Sequence, residues 1–303
     1  MPKQQSSSSD SQLPFIVTNT PLVLCILATL LLAGSTRMWW SKVHDSPRRV
    51  FSAMLSNNLS TVGVTRQTLS NDSTNLDKSE QISFVPPYAV RSLITVSQEE
   101  GTSKSSVVTE TIGTLANDYS RYVNIETNQK STSGKELNYS SVEGMWGKSG
   151  IANGQAQYFQ QSILGLVPFA NLDAKTRDSV LNLLVAKEAY IVDYSKVKPL
   201  RTNGKSALVY PVKVDAARYV AVLKALGKGT GIGDLPELNA NDYSGQPPIE
   251  ISITVDKLSR HVLEVSYGQQ VEKYTSYGLN TPVATPSKTI SIDDLQQKVQ
   301  EIQ

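Results

Sequence analysis

Few side chains in this 303-residue chain are of types that do chemistry, and their spacing is poor for it. There are two histidines, His44 and His261, and one cysteine, Cys25. His44 follows an apolar N-terminal segment. His261 sits on an alternating stretch, where an imidazole reads as a structural residue. Serine and threonine are abundant, yet neither Gly-x-Ser-x-Gly nor Ser-x-x-Lys at a helix start accompanies a base. Asp293-Asp294, Glu99-Glu100 and Asp242 lack the spacing of a metal loop and read as solvated charge and helix caps. Cys25 lies inside the apolar segment behind Leu24, where a lipidation site needs a small residue. It reads as a plain buried thiol, with no partner for a disulfide or a cysteine metal site. Gly227, Gly229, Gly231 and Gly233 follow a helix instead of opening one, so their N–H groups would not face a phosphate. The expectation is no catalytic residue, no cofactor and no metal.

Composition narrows the class further. Twenty-nine basic and 27 acidic residues leave a net charge of +2. No basic run is interleaved with aromatics, which argues against nucleic acid as a partner. The informative feature is instead the stretch from Leu13 to Ala33, mostly apolar and uncharged between Leu22 and Leu32. A bilayer core needs about 20 such residues. Thr18, Asn19, Thr20 and Pro21 interrupt its first half, so the best register runs from Pro21 to Trp40, with Arg37 snorkelling and Trp39 and Trp40 at the interface. The partition expected is a disordered cytoplasmic tail over 1–12, a transmembrane signal anchor over 13–40, a short helix and polar linker over 41–81, and an extracytoplasmic domain over 82–303.

Two features of the anchor pull the other way. Ala33-Gly34-Ser35 has the small-residue spacing of a signal-peptidase site, which would release the domain. Arg37, Lys42, Arg48 and Arg49 follow the span while only Lys3 precedes it, and a strict positive-inside count favours a cytoplasmic C-terminus. Long domains translocate largely regardless of flanking charge, and the body is rich in Ser, Thr, Asn and Tyr. The reading is therefore a single-pass protein of the cell membrane with its C-terminal domain outside the cytoplasm.

The elements of the body follow from periodicity. Pro47 fits a first helical position, and Val50, Phe51, Met54, Leu55 and Leu59 mark one face of a short helix. Ser60 to Gln81 shows no sustained period and reads as a linker. Ser92 to Glu99, Ser105 to Ile112 and Arg121 to Thr127 alternate as consecutive antiparallel strands. Tyr158 to Leu166 and Ala174 to Ala189 switch to helical spacing, with Asn171 or Asp173 as the cap of the second. Short strands follow at Tyr190 to Tyr194 and Ala207 to Val214, with the turn dipeptide Asn203-Gly204 between them. Asp215 caps a helix over Ala216 to Leu226 whose face is Tyr219, Val220, Leu223 and Leu226. Ile249, Ile251, Ile253 and Val255 then point one way, and His261, Leu263, Val265 and Tyr267 alternate back. Val271 to Ser276 is a further strand, and Ser291 with Asp294 caps a final helix.

The runs ITVDKLSRHVLEVSY (253–267), YTSYGLNTPVATP (274–286) and ISIDDLQ (290–296) resemble the C-terminal meander of LolA-like and LppX/LprG-like envelope lipoproteins. Gly144-Met145-Trp146-Gly147 and Val167-Pro168-Phe169 are also similar to segments of membrane-anchored proteins of candidate-phylum (Saccharibacteria-like) bacteria. The resemblance covers about 82–303 in layout. It implies an α+β fold in which a curved antiparallel β-sheet, a half-barrel, wraps helices and encloses a hollow for lipids or acyl chains. The chain departs from the lipoprotein pattern in having a spanning segment where a lipidated cysteine would stand, which implies local transfer, not shuttling.

Two functions are consistent with this. One is a membrane-anchored, non-enzymatic binder of a lipid or other hydrophobic ligand, lined by helix-face residues Leu164, Val180, Leu184, Val220 and Leu223. The other is a scaffold with a solid core whose surface, with Tyr119, Tyr122, Tyr139 and Tyr243, binds an envelope or surface protein. A Ser70→Cys variant tests the orientation: an impermeant maleimide should label it in intact cells, and labelling only after lysis would place the domain in the cytoplasm.

Overall fold

The computed structural model describes residues 28–33, 35–36, 45–71, 75–131, 133–150 and 157–302. Two units divide the chain, Met1–Arg49 and Val50–Gln303. In the first, 28–33 and 35–36 are helical and exposed, and the Thr36 hydroxyl donates to the Leu32 carbonyl at 2.7 Å. Among the described residues no helix is long and apolar enough to cross a membrane. Most of the expected anchor, 13–40, and all of the expected tail, 1–12, lie outside them.

The second unit is built on one 13-stranded sheet. Its strands are β1 (Gly63–Asn71), β2 (Asn75–Ser83), β3 (Ala89–Glu100), β4 (Ser103–Thr114), β5 (Asn117–Thr127), β6 (Gly147–Gly150), β7 (Tyr190–Val192), β8 (Lys198–Thr202), β9 (Lys205–Val214), β10 (Ile249–Asp256), β11 (Val262–Tyr267), β12 (Gln270–Thr275) and β13 (Ile290–Ser291). They lie in the order β13-β6-β5-β4-β3-β2-β1-β12-β11-β10-β9-β7, with β8 also on β9. The sheet is antiparallel except where β13 meets β6. The helices are α1 (Pro47–Asn58), α2 (Gln157–Ile163), α3 (Ala174–Val185), α4 (Ala216–Gly229) and α5 (Ile292–Gln300). The α+β class with a large antiparallel sheet is the one expected.

The segment 60–81, expected as a linker, is instead two strands in the middle of the sheet, and the folded body does not begin at Ile82. The alternation there reads as loop because five of the eight residues on the covered face, Arg66, Thr68, Ser70, Lys78 and Glu80, are themselves polar or charged. Helix α1 is likewise part of the body. Its Val50, Phe51, Met54 and Leu55 are at most 1% exposed, and the Phe51 ring meets Tyr210, Tyr194 and Tyr190 with centroids 5.0, 6.2 and 6.4 Å away. The backbone of 170–172 ties down its exit, Ala170 N–H to the Asn58 carbonyl and Leu172 N–H to that of Leu59. The sequence pattern had also missed β8, which pairs β9 across a turn where Asn203 and Gly204 both have positive φ.

Asp173, Asp215 and Ser291 cap α3, α4 and α5 by accepting backbone N–H groups three residues on, each at 3.0 Å. Helix α4 continues to Gly229 and buries Val222 where Leu223 was expected. At its end, a Cβ on Gly229 would come within 2.8 Å of Leu172 and 2.9 Å of Thr176, so glycine there lets α4 pack close to the start of α3. In β10, Ile251, Ile253 and Val255 are buried as expected, but Ile249 is exposed. A register shift opposite Thr254/Val255 breaks the alternation of β11. Val262 and Val265 both face the core, and Leu263 turns to the other face beside His261.

Phe51→Ala should cost about 3–5 kcal/mol, the usual penalty for emptying a buried aromatic site, measured by urea denaturation. A fragment starting at Ile82, lacking α1, β1 and β2, should give no cooperative transition by circular dichroism, whereas one starting at Ser46 should.

Candidate functional site

Strand register sorts the helix-covered face of β1–β5 into four rows running across the strands. The first, Val64–Ile82–Val90–Gly113–Asp118, is mostly apolar and lies at the main core. Gly113 is where α2 lands, since a Cβ there would stand 2.8 Å from the Phe159 backbone nitrogen. The second row, Arg66–Glu80–Ser92–Thr111–Ser120, is polar throughout. The third, Thr68–Lys78–Ile94–Thr109–Tyr122, is mixed, and the fourth, Ser70–Leu76–Val96–Val107–Ile125, is apolar over its last four positions.

The second row carries a buried ion cluster. Glu80 is 0% exposed and both of its oxygens are taken. Oε2 accepts from Arg66 Nε at 2.8 Å and Nη2 at 2.5 Å. Oε1 accepts from the Ser162 hydroxyl at 2.9 Å and faces Lys78 Nζ at 2.7 Å. Burial pushes the Glu80 carboxyl up, but Arg66 and Lys78 outweigh it and hold the group below the usual carboxylate range. Burial likewise opposes the Arg66 charge, and Glu80, with Tyr274 and Glu272 beyond it, holds that pKa above the ordinary value. Glu272 is fixed separately by the hydroxyls of Tyr274 and Tyr267 and by Gln270. Beside the cluster, the buried hydroxyls of Ser92 and Tyr158 face each other, and burial raises the Tyr158 pKa. The Tyr158 ring lies under Lys78 Nζ at 5.3 Å.

The fourth row differs from the first in its surroundings. Leu76, Val96 and Val107, with Ile94 of the third row, are half-buried and belong to neither of the two hydrophobic clusters. The main cluster lies under α1, α3 and α4; the second gathers Tyr139, Val142 and Leu295, with Tyr122 and Ile125 against them. Chemically, the face is an apolar strip next to a polar, charge-paired band. Among the described residues no group of three or more His, Cys, Asp and Glu is placed to hold a metal.

The residues expected to line a hollow lie elsewhere. Val180, Leu184 and Val220 are buried, and Leu164 and Leu223 are half-buried against the main core. None of the five lines the grooves of about 590, 500 and 470 Å³. The loop after α2 is pinned over this core by the Tyr219 hydroxyl on the Gly165 carbonyl at 2.8 Å and the Tyr190 hydroxyl on that of Leu166. Of the tyrosines expected on the surface, Tyr119 and Tyr139 are buried and Tyr122 and Tyr243 half-buried. The residues missed, Leu76, Lys78, Glu80 and Arg66, fall in the segment read as a linker. The alternation Ser92/Ile94/Val96 in β3 was the available signal for the strip.

Glu80 carries a pH dependence whose sign follows from its lowered pKa. An unfolded glutamate titrates near ~4.3; the contribution of Glu80 is complete above that value and lost as pH falls through the lower folded one. Glu80→Gln should therefore cost about 3–5 kcal/mol at neutral pH, because Arg66 is left buried without its carboxylate. Its denaturation midpoint should also fall less steeply in acid than that of the parent.

The crystal structure of LprF from Mycobacterium bovis is similar to this chain, with a TM-score of 0.40 at 12% sequence identity over 78% of this chain and 94% of that one. No protein-family model and no curated protein sequence matches the chain.

Proposed function

We propose that this chain is a non-enzymatic, membrane-anchored protein of the cell envelope that binds an amphiphilic lipid on the half-open rim of its sheet. The observation that carries the reading is the strip of Leu76, Ile94, Val96 and Val107, half-exposed beside the polar band of Arg66, Lys78, Glu80 and Ser92. An acyl chain laid along the strip would remove apolar surface from water at about 25 cal/mol per Å². The lipid's polar end would lie toward the polar band, where Lys78 is part-exposed next to the strip. The resemblance to LolA-like and LppX/LprG-like lipoproteins implies the same ligand class. The helical turns at 28–33, with Leu30, Leu31 and Leu32 exposed, suit the end of an anchor whose apolar length comes from 13–40 of the sequence.

The alternative, a scaffold for an envelope or surface protein, draws on the filled core under α3 and α4, where Val180 and Leu184 are 0% exposed. Native mass spectrometry with organic extraction separates the two. The chain from Ser46, purified from a bacterial envelope without detergent, should carry a stoichiometric lipid. The pair Val96→Asp and Val107→Asp should reduce its occupancy at least tenfold without unfolding the protein. A mass that stays free of lipid when lipids are added would favour the scaffold.

A further inference from the structure

The opposite face of the sheet has its own concavity. Over β8–β12 a groove of about 590 Å³ opens between the β8–β9 hairpin and the end of β12, within the ~300–1,000 Å³ range of small-molecule sites. One wall is the His261 ring stacked on Tyr277, with centroids 4.1 Å apart and planes 10° from parallel. The Tyr277 hydroxyl donates to the Val262 carbonyl at 2.7 Å, which locks the pair in place. A second groove of about 300 Å³ lies against the same two rings and continues past Asn57, Ser60 and Thr61. The two form an elongated depression with an aromatic partition.

Its chemistry is that of neutral hydrogen bonding. The first groove presents Thr202, Asn203, Thr254, Thr275 and Ser276, with Leu200 and Leu263 as apolar faces. Its charges oppose each other: Lys273 faces Glu264 across β11 and β12, and Lys205 lies 3.9 Å from Asp256. Burial lowers the His261 pKa; Asp256 opposes this and Lys205 adds to it. A groove with hydroxyls and amides, flat apolar patches and balanced charge matches a ligand with hydroxyl edges and C–H faces, and offers little to a phosphate or a cation.

We propose that this outer groove, with the His261–Tyr277 stack as its central wall, is a binding site for a linear neutral glycan. It is separate from the apolar strip, which is on the other face, so either site stands without the other. The test titrates the full chain in nanodiscs with cellotetraose and with the tetramer of β-1,4-linked N-acetylglucosamine, followed by saturation-transfer NMR. At least one should bind saturably. His261→Ala, which removes half of the stack, and Thr275→Arg, which fills the groove from an exposed rim position, should each weaken binding at least tenfold. The Val96→Asp/Val107→Asp pair should leave it unchanged. Absence of saturable binding by both tetramers, binding that neither groove variant weakens, or displacement by inorganic phosphate would overturn the site.

Discussion

A glutamate with no access to water has to be neutralised where it stands, and much of this sheet is arranged around that requirement. Glu80 draws on Arg66 from the neighbouring strand, Lys78 from its own strand and Ser162 from α2. Each partner constrains a different element. Arg66 fixes the register of β1 on β2, since a slip of one residue would turn it to the opposite face. Ser162 fixes the depth at which α2 sits over β3 and β4. The ion cluster is a poor source of net stability, because desolvation consumes most of the Coulombic gain. What it supplies is a unique arrangement of strands and helix.

That arrangement separates two apolar regions on one face of the sheet. On one side of the polar band, Val64, Ile82 and Val90 join the packing of α1, with Phe51 among its tyrosines. On the other, Leu76, Val96 and Val107 sit beyond the reach of the main cluster. Had the second and third rows been apolar, the core could have spread across the face and the helices could have slid over it. The charges hold the helices to one end and leave the strip at the other half open.

The legibility of the fold in the sequence tracks the same division. Where the buried face is apolar, as in β9, β10 and α3, the periods of 2 and 3.6 show directly, and the caps Asp173, Asp215 and Ser291 are visible by residue type. β1 and β2 were hidden because their covered face reads Val64, Arg66, Thr68, Ser70 and then Leu76, Lys78, Glu80, Ile82, a mixture indistinguishable from a solvated loop until the partners are known. The reversal at β11 was hidden for another reason: a bulge is a property of two paired strands, and neither carries a glycine to mark it. The helix stripes at Val180 and Leu184 were read as cavity lining, and a stripe of that kind looks the same whether it meets a ligand or a packed sheet. What distinguishes the strip is a half-buried row next to a polar one, which only the register reveals.

A rim site also sets how a lipid would exchange. A ligand enclosed beneath α3 and α4 would have to displace helices whose Leu184 and Leu226 are fully buried, at a cost comparable to local unfolding. A chain lying on Leu76, Ile94, Val96 and Val107 needs no such opening, because these side chains are already partly exposed and packed against neither core. Affinity would then be limited by the modest apolar area available, and exchange would be correspondingly fast. Were the chain held at a membrane surface, as proposed, the bilayer would supply ligand at high local concentration, and weak, rapid capture at the rim would suffice for handing it on nearby.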